Sequence, residues 1–263
     1  MAVPVDESSG GTRGDRAPLR AATLLGITGF VLALAAAIAA LAAGAGHRLE
    51  WWDFRTGFLI LRMAAWAGTA AAALSAFALI IALRGRARRA VVYGVDGLIL
   101  GALVFGVPWY LVTQGRSLPA IHDITTDTVR PPEFIGVLPL RKDAPNSAQH
   151  AGAEIAKQQR AAYPDIVPRV LNMAPEAAYE RALTAARDSG WDIVAAVPAE
   201  GRIEATATTL MFGFKDDVVV RITPVNGGSR IDVRSVSRIG RSDLGTNARR
   251  IRDFLERLTP GQG

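Results

Sequence analysis

The stretch that decides the architecture runs from Ala21 to Gly46, AATLLGITGFVLALAAAIAALAAGAG, 26 residues without a charge. A bilayer crossing needs about 20 consecutive apolar residues, so this run is long enough to span. Its alternative reading is a cleaved signal peptide, because Ala43-Gly44-Ala45 resembles a small-residue cleavage site. A signal h-region holds only about 7 to 15 apolar residues, and the run here is longer.

Two further runs follow the first: Met63 to Leu83 has no charge, and Ala90 to Val112 is interrupted only by Asp96. Three spans are expected over residues 21–115, after a Gly-, Ser- and Pro-rich tail over 1–20 that reads as disordered. Arg84, Arg86, Arg88 and Arg89 lie between runs two and three, and Arg13, Arg16 and Arg20 precede run one. Loops rich in arginine stay in the cytoplasm. The reading is therefore an inner (plasma) membrane protein with a cytoplasmic N-terminus and everything after residue 116 extracytoplasmic. Trp51, Trp52, Trp66, Trp109 and Tyr110 would then fall near the outer interface, where such rings concentrate.

Small residues recur at four-residue spacing, Ala35, Ala39 and Ala43 on the first span and Ala64, Gly68, Ala72 and Ala76 on the second. That pattern suits close helix packing rather than a transport path. Arg62 can snorkel from the outer end of span two, while Asp96 lies toward the cytoplasmic end of span three, so the two are not expected to pair. Asp96 invites a proton-carrying role; its plainer reading places it in the headgroups beside the arginines.

Composition narrows the chemistry. The chain is 263 residues long and 50% hydrophobic, and it contains no cysteine. Thiolate metal sites, disulfides and cysteine nucleophiles are thereby excluded. The net charge of +6 resides largely in the membrane half: 10 arginines and 6 acids precede residue 116, against 20 basic and 18 acidic residues from it onward. The soluble half is nearly balanced, which argues against nucleic acid. No P-loop, dinucleotide-binding glycine pattern, Gly-x-Ser-x-Gly elbow or HExxH zinc motif occurs, and no cofactor or metal is called for.

Residues 116–165 read as an extended, Pro-punctuated leader followed by a short helix capped by Asn146 or Ser147 and ending near Ala162. The final segment, 166–263, predicts an α+β domain. A strand over Val167–Leu171 precedes a helix opened by Pro175 and closed by Gly190. Four antiparallel strands come next, with turns at Glu200-Gly201 and Asn226-Gly227, and Val218, Val220 and Ile222 face Ile231, Val233 and Ser235. Ser242 or Asp243 then caps a last helix with a stripe of Leu244, Ala248, Ile251, Phe254, Leu255 and Leu258. The order strand, helix, four strands, helix implies an antiparallel sheet with helices on one face.

Three clusters are candidates for chemistry. His122, Asp123 and Asp127 bring an imidazole and two carboxylates together and could serve a metal-dependent or acid/base hydrolase, although as a ligand set they are minimal. Asp216 and Asp217, beside Lys215, point to opposite faces of a strand and read as a turn and edge-strand guard. Ser237, Arg238, Arg241 and Ser242 run from a strand into a helix N-terminus, where an anion can be held. The alternative there is a helix cap with arginines paired to Asp123, Asp127, Asp216 or Asp217. Arg249 and Arg250 read as a solvated face. A membrane-anchored binding module for an anionic small ligand or an envelope protein needs no catalytic set, and is the reading these clusters favour.

The segments PAIHDITTD, AAYPDI, GFKDDVVVRI and IDVRSVSRIGRSDLGTNARRIRDFL, in that order over roughly residues 118–258, resemble the domain-of-unknown-function family numbered fourteen ninety-nine. The resemblance implies a bacterial or plastid domain, often placed behind several membrane spans. It supplies no catalytic residues, since that family has no established activity.

Overall fold

The computed structural model describes residues 16–85 and 87–259. Most of the expected tail, with Arg13, lies outside these residues, as does Arg86. The chain divides into two compact units at Leu111 and Val112.

The first unit is built from three helices, α1 (Arg16–Arg48), α2 (Phe54–Gly85) and α3 (Arg88–Arg116), each long and apolar enough to cross a membrane. At 1.5 Å per residue they reach roughly 45 to 50 Å, beyond a hydrocarbon core of about 30 Å. Helix α1 begins at Arg16, before the expected start at Ala21.

Packing in this unit is inverted relative to a soluble bundle. Leu24, Val31, Ile38, Leu41, Met63, Phe77 and Ile99 point outward, and alanine and glycine fill the interior. Without a hydrophobic drive between helices in lipid, close approach of small residues does the work. The inward row of α1 is Ala22, Gly26, Gly29, Ala33, Ala36 and Ala43, whereas Ala35 is exposed and Ala39 half-buried. A strict four-residue step outruns the 3.6-residue turn and drifts off the face, which is why the expected row is only partly right. On α2 the row is Ala64, Gly68, Ala71, Ser75, Ala78 and Ala82. Helix α3 meets it through Gly94, Gly97 and Gly101; a Cβ on Gly101 would stand 2.5 Å from the Gly68 carbonyl oxygen. Arg62 and Asp96 are both exposed. Gly97, next to Asp96, packs at the level of Ser75, thirteen residues along α2 from Arg62. The two charges thus lie far apart along the helices.

In the second unit an antiparallel six-stranded sheet is formed by β1 (Asp123–Thr125), β2 (Arg169–Leu171), β3 (Asp192–Val197), β4 (Arg202–Thr208), β5 (Lys215–Val225) and β6 (Gly228–Ser237). The path is β1-β6-β5-β4-β3, and β2 also pairs with β6. The central hairpin has the expected register, with Val218 opposite Ser235, Val220 opposite Val233 and Ile222 opposite Ile231. Gly227 takes φ +79°, which a turn this tight requires of its glycine.

One face of the sheet carries the hydrophobic core. Helices α5 (Pro175–Asp188) and α6 (Thr246–Leu258) cover Ile203, Ala205, Val218, Val220, Ile222, Ile231 and Val233. Trp191 stacks on Phe254 with ring centroids 5.0 Å apart. The last helix starts at Thr246, so Leu244 is not part of its stripe; it is exposed, with φ +52°. Helix α4 (Ala153–Ala162) likewise starts later than Asn146, because Asn146 is occupied in bonding the Ser237 and Gly240 carbonyls.

The other face is covered by the leader itself. Phe134 and Val137 pack on Val219 and Val236, and β1 adds to the edge of β6.

Candidate functional site

Beneath the leader, alternate residues of β5 and β6 place charges on one face, and almost all of these charges are paired. Arg234 grips Asp123 through two hydrogen bonds of 2.9 and 2.8 Å, donates to the Pro132 and Ala148 carbonyls, and lies over the Phe134 ring. Asp217 accepts from Arg238 at 2.9 and 2.8 Å, from Arg141 at 2.6 Å and from Thr206 at 2.7 Å. Arg221 and Arg230 both reach Asp127 and Asp232. Burial pushes the Asp217 carboxyl upward, but bonds from Arg238, Thr206 and Arg141 more than reverse this and hold it below the usual carboxylate range. Asp127 is also held low: burial raises it, while the Arg130 and Val129 N–H groups and the two arginines lower it further.

Glu204, fully buried on β4, is held by the leader backbone. Its carboxylate accepts from the N–H groups of Ile135 at 3.1 Å, Gly136 at 2.9 Å and Val137 at 3.0 Å, and pairs with Arg202. A concave set of backbone donors of this kind holds an anion, and here the anion is part of the chain.

On the helix side a second polar cluster joins β5, β6 and α6. Arg250 donates to Asp216 at 2.6 Å and to Ser235 at 3.0 Å, and also bonds Asn247. Asn247 in turn donates to Ser237 and to the His122 carbonyl, both at 3.0 Å. Asp243 caps the start of α6 by accepting from Gly245 at 2.9 Å and Asn247 at 2.8 Å, and its burial raises its carboxyl above the ordinary value.

The expected sites are therefore taken apart. His122 is half-buried with Nδ1 3.5 Å from the Arg241 carbonyl oxygen, Asp123 belongs to Arg234, and Asp127 belongs to Arg221 and Arg230. They do not converge. Among the described residues, no three His, Asp or Glu side chains gather so as to hold a metal ion. Asp216 and Asp217 do point to opposite faces, yet they are buried in ion pairs on a central strand and guard no edge. Of the anion candidates, Arg238 is committed to Asp217, Ser237 bonds Asn247, and the Ser242 hydroxyl accepts from the Leu244 N–H, while Arg241 is exposed.

Sequence reasoning missed a groove of about 240 Å³ between the turn Ser189–Trp191, the end of β4 at Thr208, and α6. Thr246, Arg249, Arg250, Asp253 and Arg257 line its helical wall. The signal was present in their spacing, since steps of three and four residues place them on one helical stripe. Arg250, read as solvated, is in fact half-buried and paired with Asp216.

The sequence model of a family described as a protein of unknown function (DUF1499) matches residues 123–258. The chain belongs to the DUF1499 family. The matched DUF1499 segment begins at β1 and ends with α6, so it includes the strapping leader as well as the sheet. No curated protein and no solved structure matches the chain.

Proposed function

We propose that this DUF1499 protein is a membrane-anchored cell-envelope protein whose α+β domain lies outside the cytoplasm and works as a binding module for an anionic ligand, not as a hydrolase. One observation carries the reading. The acids expected to do chemistry are each neutralised by an arginine within the fold, whereas Arg249 and Arg257 in the α6 groove form no ion pair among the described residues. Guanidinium groups spaced along a concave wall suit a carboxylate or phosphate, and Thr246 and Thr208 add hydroxyls. The extracytoplasmic placement rests on the arginine-rich segments on one side of the spans.

The test is a thermal-shift titration of the detergent-solubilised full chain with inorganic phosphate and with a dicarboxylate. Stabilisation that saturates, and that is lost in an Arg249→Ala, Arg257→Ala double variant of unchanged basal Tm, supports the groove. Absence of any saturable shift with either anion would remove this reading.

A further inference from the structure

We propose that the end of the sheet at which the chain enters the domain is a bilayer-contacting edge, with Leu210, Met211 and Leu244 inserted at the lipid interface and Arg116, Lys215 and Arg241 on phospholipid headgroups. The inference is independent of the anion groove; it rests on the three apolar helices spanning a membrane.

Strand register collects this edge from distant parts of the chain. Thr208 lies opposite Lys215, Asp216 opposite Ser237 and Asp123 opposite Val236. The Arg238 N–H donates to the Lys215 carbonyl at 3.0 Å, and the Asp243 N–H to the Ile121 carbonyl at 3.2 Å. The β4–β5 loop, the loop after β6 and the incoming segment 116–122 therefore share one end of the sheet. Gly115, which belongs to the second unit, is at this end as well, because a Cβ there would fall 2.4 Å from Leu244 Cδ2. A chain that has just left a span has little length in which to move away from the interface.

What this edge exposes is apolar. Leu210 is 91% exposed, Leu244 45% and Met211 43%. The β4–β5 loop is also held in shape: the Thr209 N–H donates to the Phe214 carbonyl at 2.8 Å, the Phe214 N–H to Thr209 Oγ1 at 2.9 Å, and Phe212 stacks on Phe214 at 5.5 Å. A braced loop with leucine and methionine at its tip loses little conformational freedom on entering lipid. Exposed Arg116, Lys215 and Arg241 belong to the same three segments at this end of the sheet, a composition that suits anionic headgroups.

The absence of cysteine permits a clean test on the full chain. Single cysteines at Leu210, Met211 and Leu244, with Asn226 at the opposite end as control, are labelled with a polarity-sensitive fluorophore. The labelled chains are reconstituted into vesicles of phosphatidylglycerol and phosphatidylcholine. Blue-shifted emission at 210, 211 and 244, lost to quenching by spin-labelled lipids, with neither effect at 226, is the expected result. Charge reversal by Lys215→Glu with Arg241→Glu should lessen the quenching at 210. Aqueous emission at 210 equal to that at 226 would overturn the proposal. A blue shift without lipid quenching would overturn it too, since it would show the loop packed on protein.

Discussion

Arg238 holds both carboxylate oxygens of Asp217, at 2.9 and 2.8 Å, across the central pair of strands β5 and β6. The arginine most suggestive of a ligand site in the sequence is thus a structural tie. Asp217 is fully buried, so removing a partner leaves a charge that water cannot reach. Breaking a buried pair in this way costs about 3 to 5 kcal/mol. We expect Arg238→Ala to destabilise the domain by an amount near the lower figure, because Arg141 remains on Asp217. Urea-dependent proteolysis of the full chain measures this, and a stability equal to wild type would refute the assignment.

Glu204 ties the leader down. Its three backbone donors come from Ile135, Gly136 and Val137, and no side chain of the leader replaces the carboxylate. In Glu204→Ala those N–H groups lose their acceptor, at a cost of about 1 to 3 kcal/mol for each that stays buried. The leader should open before the sheet unfolds, giving new protease cleavage between residues 130 and 145 under native conditions. Glu204→Gln, which keeps an acceptor oxygen, should show an intermediate rate.

The acid limb of stability follows from Asp217 and Asp127. Both carboxyls are held below their ordinary values in the folded chain, so their contribution is present above an unfolded pKa of about 3.9 and is lost as pH falls through the lower folded values. Asp243 acts in the opposite sense: its raised folded value gives stability that is present below the unfolded pKa and lost as pH rises through the higher folded value. Stability should therefore fall below about pH 4, and Asp217→Asn should flatten that fall while lowering stability at neutral pH. Unfolding midpoints measured from pH 3 to 7 decide the point.

The same stretch shows why the fold was more legible than the site. Strand β6, Gly228–Ser237, alternates Arg230, Asp232 and Arg234 with Ile231, Val233 and Ser235, and this period of two set the register correctly. The same period says nothing of what covers the charged residues. They are covered because a Pro-rich leader with almost no regular structure of its own crosses them, and neither its three-residue strand nor its backbone donors leave a pattern that periodicity can detect. The membrane helices are legible for the contrary reason, since crossing a bilayer requires an unbroken apolar length. Arg249 and Arg257 could be placed on one helical stripe, but the facing turn Ser189–Trp191 comes from distant sequence.

Within the membrane unit, Gly101 is packed directly against the backbone of α2. A Cβ there would meet the Gly68 carbonyl oxygen at 2.5 Å and the Ala72 nitrogen at 2.9 Å, both backbone atoms that cannot rotate aside. Gly101→Leu should separate α2 from α3 and lower the thermal stability of the chain in detergent. Gly106, with nothing within 4 Å, is the matched control, and Gly106→Leu should be tolerated. Equal melting of the two variants would contradict the packing.

Orientation is the remaining prediction, and it rests on charge. The segment from Arg84 to Arg89 carries four arginines in six residues, while the loop between α1 and α2 mixes Arg48 with Glu50 and Asp53. Retention of basic loops in the cytoplasm predicts that α1 starts inside and that residue 116 onward lies outside. Alkaline phosphatase fused at the C-terminus and after Gly46 should be active, and a fluorescent protein fused at Gly85 should fluoresce. Replacing Arg84, Arg86, Arg88 and Arg89 by serine should weaken this bias and give a mixed population. Phosphatase activity confined to the Gly85 fusion would invert the topology and move the ligand search to the cytoplasm.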